Sequence, residues 1–485
     1  MISAVPVSRP GRVLLCLALL AALLVVPAAA ASADVPDPTV VGPVPATAPP
    51  GDPSRDYPFF ATVHDLASEG YVEEEFLFSG TANTYAISGT ATGTVTSSGH
   101  PYTSRMIVRR PADPADFNGT VIVEWLNVSN LYDQDGDWMQ SHEHLVREGY
   151  AYVGVSAQQA GVHSPLGLRA WNPSRYGALD LTDGGTVGGD GLAYDVFSQA
   201  IQALRAPTGT APLGPLQPEV VIASGHSQSA FRLTDYYNAI QPLAGVVDAF
   251  LLRGGGGILR DDLAAPVIKL NTETDVQILT PPSSREPDSD VLRTWEIAGA
   301  SHGDWKLIIE HGPPRIRDIG SPPDDYPGTP PSGCAAPPFS RVEAYMVQNG
   351  AYDALDAWVR DGVAPPHAEP IEASGQPVTI ARDELGIARG GIRLPAVEVP
   401  TALNTGSNSG PGFCFLHGTH VPFDADTLAA LHPSHGRYVH RVAEVANALW
   451  RDRFIPRADA VALKQEAARS DVGRSDVGRS AGRAR

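Results

Sequence analysis

At 485 residues, 43% of them apolar, the chain is long enough to bury a large core. Its 54 acidic residues outnumber 35 basic ones, and the formal charge of −19 excludes binding to nucleic acid or anionic membranes through net positive charge. Charged side chains make up only 18%, while 44 prolines and 48 glycines predict long ordered loops.

Residues 1–33 read as a signal peptide. Arg9 and Arg12 give a positive start, residues 13–26 an apolar core short for a membrane span, and Ala31-Ser32-Ala33 a small-residue cleavage site. The expectation is a secreted, extracellular protein with no stable membrane anchor after cleavage. Cys16 leaves with the peptide, so Cys334 and Cys414 remain as a pair that predicts one disulfide. Residues 34–56 are an extended, Pro-rich lead-in. Residues 74–78 and 103–108 have strand character. Alternating elements follow: strand 120–125, helix 138–148, strand 150–156, helix 192–204 and strand 219–223 with its helix. Further strands are expected at 247–252, 266–270 and 294–297. Such alternation predicts an α/β fold, a mostly parallel sheet covered by helices, with an N-terminal β extension. Ligands would bind at the carboxyl ends of the strands. After His302, residues 312–339 are Pro-rich, 340–362 helical, and 376–415 rich in Gly, Pro and β-branched residues. Tyr438, Val442, Val445 and Leu449 then form a helical stripe in a long C-terminal extension. Ser470 to Arg474 repeats at once, and residues 466–485 are expected to be a disordered low-complexity tail.

The chemistry concentrates at Gly225-His226-Ser227-Gln228-Ser229. A strand runs into it and an amphipathic run follows, the context of a nucleophile elbow, although Ser229 stands where the G-x-S-x-G pattern has glycine. A serine hydroxyl needs a base, and the base an orienting acid. His302 follows the last core strand in Ala300-Ser301-His302-Gly303 and supplies the base. Asp275 follows the preceding strand and is the favoured acid. Glu273, two residues earlier, is the alternative, and spacing does not separate them. The tetrahedral oxyanion needs donors. The backbone N–H of Gln228 is one, and the loop after strand 120–125 offers Asn127 or Val128 through backbone.

Four stretches carry a resemblance to the α/β-hydrolases, and within them to a secreted bacterial branch. They are Val123-Glu124-Trp125-Leu126-Asn127-Val128-Ser129, the elbow itself, Glu273-Thr274-Asp275-Val276, and Arg389-Gly390-Gly391-Ile392-Arg393-Leu394-Pro395. The likeness spans most of residues 57–465, which would form one hydrolase domain with insertions. In that branch serine at position 229 is ordinary. The resemblance implies the α/β-hydrolase fold and a Ser-acid-His mechanism but names no substrate.

The expected function is therefore a secreted serine hydrolase of carboxylic esters, taking a small-molecule or polymer ester and needing no cofactor. A peptidase or amidase with the same triad, or a non-catalytic hydrolase-like binding protein, is the alternative. Segments 159–190 and 312–339 are expected to overhang the site and shape the pocket. No metal is expected. Asp133, Asp135 and Asp137 echo a calcium loop, but its glycine and final glutamate are misplaced. His142 and His144 are two apart and cannot share a helix face. His432, His435 and His440 lack cysteine or carboxylate partners at suitable spacing.

Overall fold

The computed structural model describes Met1 and residues 35–320 and 333–474. The expected signal peptide, the middle of the Pro-rich segment and the tail beyond Arg474 lie outside them. The frame is a ten-stranded sheet. Six of its strands are parallel neighbours: β10 (Leu292–Ile297), β9 (Val267–Thr272), β8 (Ala249–Arg253), β7 (Val220–His226), β4 (Thr120–Trp125) and β5 (Ala151–Val155). Beyond β5 the sheet turns antiparallel through the long hairpin β3 (Thr94–Pro111) and β2 (Tyr71–Ala86). It ends at β1 (Thr39–Val41) and the two-residue β6 (Thr208–Gly209). The expected β extension is thus the antiparallel flank of the main sheet.

The parallel strands are apolar on both faces because helices cover both. Side-chain alternation sorts each strand between two cores. Val121, Val123 and Trp125 of β4 join one core with Phe197, Ile201 and Leu233, whereas Ile122 joins the other with Trp138, Leu145, Val347 and Leu355. The first side carries α2 (Ala193–Arg205) and α3 (Gln228–Asp235). The second carries α1 (Gly136–Arg147) and α6 (Ala344–Asp361). Between β9 and β10 lies the short α4 (Glu273–Ile278), and α5 (Trp305–Ile319) follows β10. No helix among the described residues is long and apolar enough to cross a membrane.

Two boundaries differ from the sequence reading. The Pro-rich segment does not begin at 312, because α5 runs on to Ile319 with Pro313 and Pro314 inside it. Its far end is anchored by Asp318, which accepts from Tyr57 Oη at 2.8 Å and Phe60 N at 2.9 Å. The tail does not begin at 466 either. An antiparallel pair, α7 (His435–Arg451) and α8 (Arg457–Arg469), carries order past that point, since Ala467 is buried and His435 Nδ1 lies 2.9 Å from the carbonyl of Val472. Segment 159–190 leaves the carboxyl end of β5 and meets the 127–134 loop, where Ser164 Oγ donates to the carbonyl of Leu131, and α3, where Asp190 pairs with Arg232 at 2.7 Å. It packs Trp171 and Tyr176 against Tyr57 and Phe59 on the antiparallel side. The Arg389 to Pro395 stretch lies along β10, where Ile392 exchanges backbone hydrogen bonds with Glu296 and Ala298.

Candidate active site

β7 ends at His226, and Ser227 turns the chain into α3 with φ 62° and ψ −122°. A non-glycine residue held there stores about 1–3 kcal/mol of strain. The turn is kept by Ser227 N–H donating to the carbonyl of Arg253 at 2.8 Å. A Cβ on Gly225 would stand 3.0 Å from the Cβ of Ser229. The two positions face each other across the elbow, so small size at 229 is what the turn requires, and serine meets it. Ser229 is fully buried and its hydroxyl has no partner.

The two candidate acids part company at the first turn of α4. Thr272 caps this helix in a capping box, its side chain taking the Asp275 N–H while Asp275 reaches back. Asp275 Oδ2 accepts from Thr272 N at 2.6 Å and Thr272 Oγ1 at 2.7 Å. Its other oxygen, Oδ1, lies 2.7 Å from His302 Nδ1. Both residues are buried. Glu273 points elsewhere, accepting from Gly299 N at 2.9 Å and Arg382 Nη2 at 2.6 Å. Asp275, not Glu273, faces the imidazole. The T-x-x-D spacing from Thr272 to Asp275 was the sequence signal that could have separated them.

Gly254, at φ +61°, leaves room for that imidazole, because a Cβ there would lie 2.9 Å from His302 Nδ1. His226 packs against His302, ring centroids 4.4 Å apart and planes tilted by 32°. Burial, then the charge of Arg253, pushes the His226 imidazole well below its usual pKa, so it is a neutral neighbour. Ser227 and His302 border one cavity of about 210 Å³ at the carboxyl ends of the strands. Among the described residues no hydrogen bond joins their side chains; such contacts commonly tighten only with substrate in place. A wider depression of about 510 Å³, lined by Asp248 and Pro266 at the opposite strand ends, carries no such pair.

Asn127 does not fill the role expected of its backbone. Its N–H donates to the carbonyl of Gln134 at 3.0 Å in an isolated bridge that closes the 127–134 loop. Its side chain instead supports the elbow, Nδ2 donating to the carbonyl of His226 at 3.0 Å. Val128 N–H and Gln228 N–H remain without a protein acceptor among the described residues. Gln228 stands at the first position of α3, where the helix leaves its N–H groups free.

The walls come from elements that the sequence reading did not assign to the site. α5 contributes Leu307, Ile308 and His311, and α1 contributes Met139. Facing them are Phe413, Leu416 and His417, in the connection of a β-hairpin made by Ala402–Thr405 and Thr419–Pro422. That connection is pinned twice. Cys414 is disulfide-bonded to Cys334, and Gly303, next to His302, donates to the carbonyl of Leu416 at 2.9 Å. Neither 159–190 nor the described part of 312–339 lines the cavity. His417 is pushed down to about 4 by burial and by the neighbouring His302, and His311 to about 4 by burial and Arg315. Both are neutral at pH 7.

The acidic triplet is consumed by structure. Asp135 pairs with Arg109 at 2.6 Å, Asp137 with Arg253 at 2.9 Å, and Asp133 accepts from the Ser156 hydroxyl. His432, His435 and His440 bond apart from one another, to Pro400 O, Val472 O and Glu444.

Residues 40–465 match the family model described as alpha/beta hydrolase domain. No curated protein matches the chain. Among solved structures, XC6422 from Xanthomonas campestris, titled a member of a/b serine hydrolase without lid, is 13% identical over 49% of this chain and 93% of its own, with TM-score 0.28. A cold-adapted esterase from an Arctic intertidal metagenomic library is 13% identical over 51% and 91%, with TM-score 0.27. The rice cell wall degrading esterase LipA from Xanthomonas oryzae is 14% identical over 39% and 43%, with TM-score 0.21.

Proposed function

Starting from a chain that belongs to the alpha/beta hydrolase domain family, we propose that it is a serine hydrolase of carboxylic esters acting through Ser227, His302 and Asp275. The observation that carries this reading is the buried Asp275–His302 pair at 2.7 Å, presented to the same cavity as a serine on a strained elbow. Ser227 Oγ attacks the acyl carbon while His302 Nε2 takes its proton. Asp275 Oδ1 accepts the Nδ1–H, fixes the tautomer and balances the imidazolium charge. Gln228 N–H and Val128 N–H stabilise the oxyanion. His302 returns the proton to the leaving alcohol, and water then cleaves the acyl-enzyme by the same steps. The cavity is small and largely apolar, and its wall histidines are neutral, which suits short uncharged acyl groups. Export through residues 1–33 belongs to the same proposal, and the Cys334–Cys414 bond supports it, since such bonds persist in oxidising compartments.

A fluorophosphonate probe should label Ser227, and p-nitrophenyl acetate or butyrate should be cleaved in preference to palmitate. Ser227→Ala should lower kcat by ~10⁴-fold or more with the fold intact. Near-normal turnover in that variant would sink the mechanism. A secreted chain that retains residues 1–33 by mass would refute cleavage.

A further inference from the structure

Three titratable side chains outside the cavity meet from distant parts of the chain: His64 on the loop before β2, His142 in α1 and Glu310 in α5. One ligand atom from each lies within 4.8 Å of the others. His64 Nε2 is 2.9 Å from Glu310 Oε2. The two imidazoles lie face to face, centroids 3.8 Å apart and planes 20° from parallel. His142 is only 5% exposed, its Nδ1 is buried without a partner, and its Nε2 comes no closer than 3.9 Å to Glu143.

A simple His–Glu hydrogen bond accounts for His64 and Glu310. It leaves His142 unexplained, a buried imidazole with no hydrogen bond, which is disfavoured by roughly 1–3 kcal/mol. Two imidazoles and a carboxylate are also the donor set that borderline divalent cations take. Zinc binds nitrogen and oxygen at about 2.0–2.2 Å, which puts neighbouring ligand atoms of a tetrahedron about 3.3 Å apart. The His64–Glu310 separation needs only slight widening for a cation to replace the shared proton. Closing the shell asks the stacked rings to splay so that their lone pairs converge. The His64 side chain, 35% exposed on a surface loop, can make that tilt. Lys306 engages the other carboxylate oxygen, Glu310 Oε1, at 2.8 Å, and Glu143 at 3.2 Å, so Oε2 is left to His64 and the local charge remains negative.

We propose that His64, His142 and Glu310 form a binding site for a divalent transition-metal cation of zinc's class, with water completing the shell. The site would tie the 62–65 loop to α1 and α5, the two helices that bring Met139, Leu307 and Ile308 to the cavity. It is independent of the hydrolase reading.

The test uses the full-length protein as secreted, stripped with chelator and titrated with zinc sulfate by calorimetry and thermal melting. One saturable equivalent is expected, with Tm rising with the logarithm of free zinc. His64→Gln and Glu310→Gln should each weaken binding by at least the ~10–100-fold that losing an outer-shell partner brings. His302→Gln should leave it unchanged, which separates this site from the cavity histidines. Absence of saturable binding, equal binding by His64→Gln, or loss of binding in His302→Gln would each overturn the proposal. Should the Glu310 variant unfold, the surface His64 variant alone decides.

Discussion

At the residue scale, two carboxylates two positions apart have opposite tasks. Asp275 divides its oxygens between the Thr272 cap and His302, so in the proposed mechanism replacing its charge removes the group that orients the base. Asp275→Asn should lower kcat by ~10³–10⁴ with little change in melting. Glu273 holds Gly299 and Arg382, so Glu273→Gln should instead lose stability, on the order of 1–3 kcal/mol, while kcat changes far less. Steady-state kinetics and urea melts on both variants check this, and a larger kcat loss at Glu273 would reverse the roles. His417 makes a second residue-level case. Its pKa is lowered from the usual 6.5 to about 4, so the unfolded chain binds the proton more readily than the folded one between those values. Its contribution is full above pH 6.5 and is lost as pH falls through 4. The stability difference between wild type and His417→Gln should therefore shift by about 2 kcal/mol over that window, from about 1.4 kcal/mol per pKa unit reduced for partial exposure. A pH-independent difference would refute the assignment.

At the element scale, the cavity is a junction of secondary structures whose ends had to meet. α4 is oriented by its capping box, α3 by the elbow, and α5 by Asp304, which accepts from Leu307 N at 2.8 Å and Gln140 Nε2 at 2.9 Å. The Phe413 to His417 connection has no helix or sheet to hold it beyond one short turn, so the disulfide and backbone bonds such as Gly303 N–H to the Leu416 carbonyl hold it. The bond closes 80 residues, and chain entropy puts its contribution at about 4 kcal/mol as an upper figure. Thiol counting on the denatured, unreduced protein freed of residues 1–33 should find none. Reduction should lower Tm and raise KM more than it lowers kcat, because Phe413, Leu416 and His417 form a wall and take no part in the proposed proton transfer. An unchanged KM after full reduction would show that the wall stands without the bond.

At the scale of the whole molecule, the C-terminal extension belongs to the main core. Ala446 and Leu449 of α7 and Leu463 of α8 share one cluster with Trp295, Val347 and Leu355, and Phe454 meets Trp295 edge to face at 5.2 Å. Each such side chain contributes about 1.5–3 kcal/mol when buried, against a total stability of about 5–15 kcal/mol. A chain ending at residue 433 should therefore aggregate or melt without cooperativity; a soluble monomer with the parent Tm would contradict this. The parallel sheet, its helices and the elbow were legible in the sequence because each is written locally, in apolar runs of strand length, 3.6-residue stripes and small residues around Ser227. The order Ser227, Asp275, His302 follows from chain order in the same way. Choosing Asp275 over Glu273, spending the Asn127 N–H on Gln134, and building the cavity from α5 and the Cys414 turn were decided by tertiary structure. These depend on which groups from segments 7 to more than 100 residues apart arrive at hydrogen-bonding distance, and no local periodicity records that. The meeting of His64, His142 and Glu310 is the extreme case, since 246 positions separate the bonded pair His64 and Glu310 and only packing of the N-terminal loop on α1 and α5 brings them together.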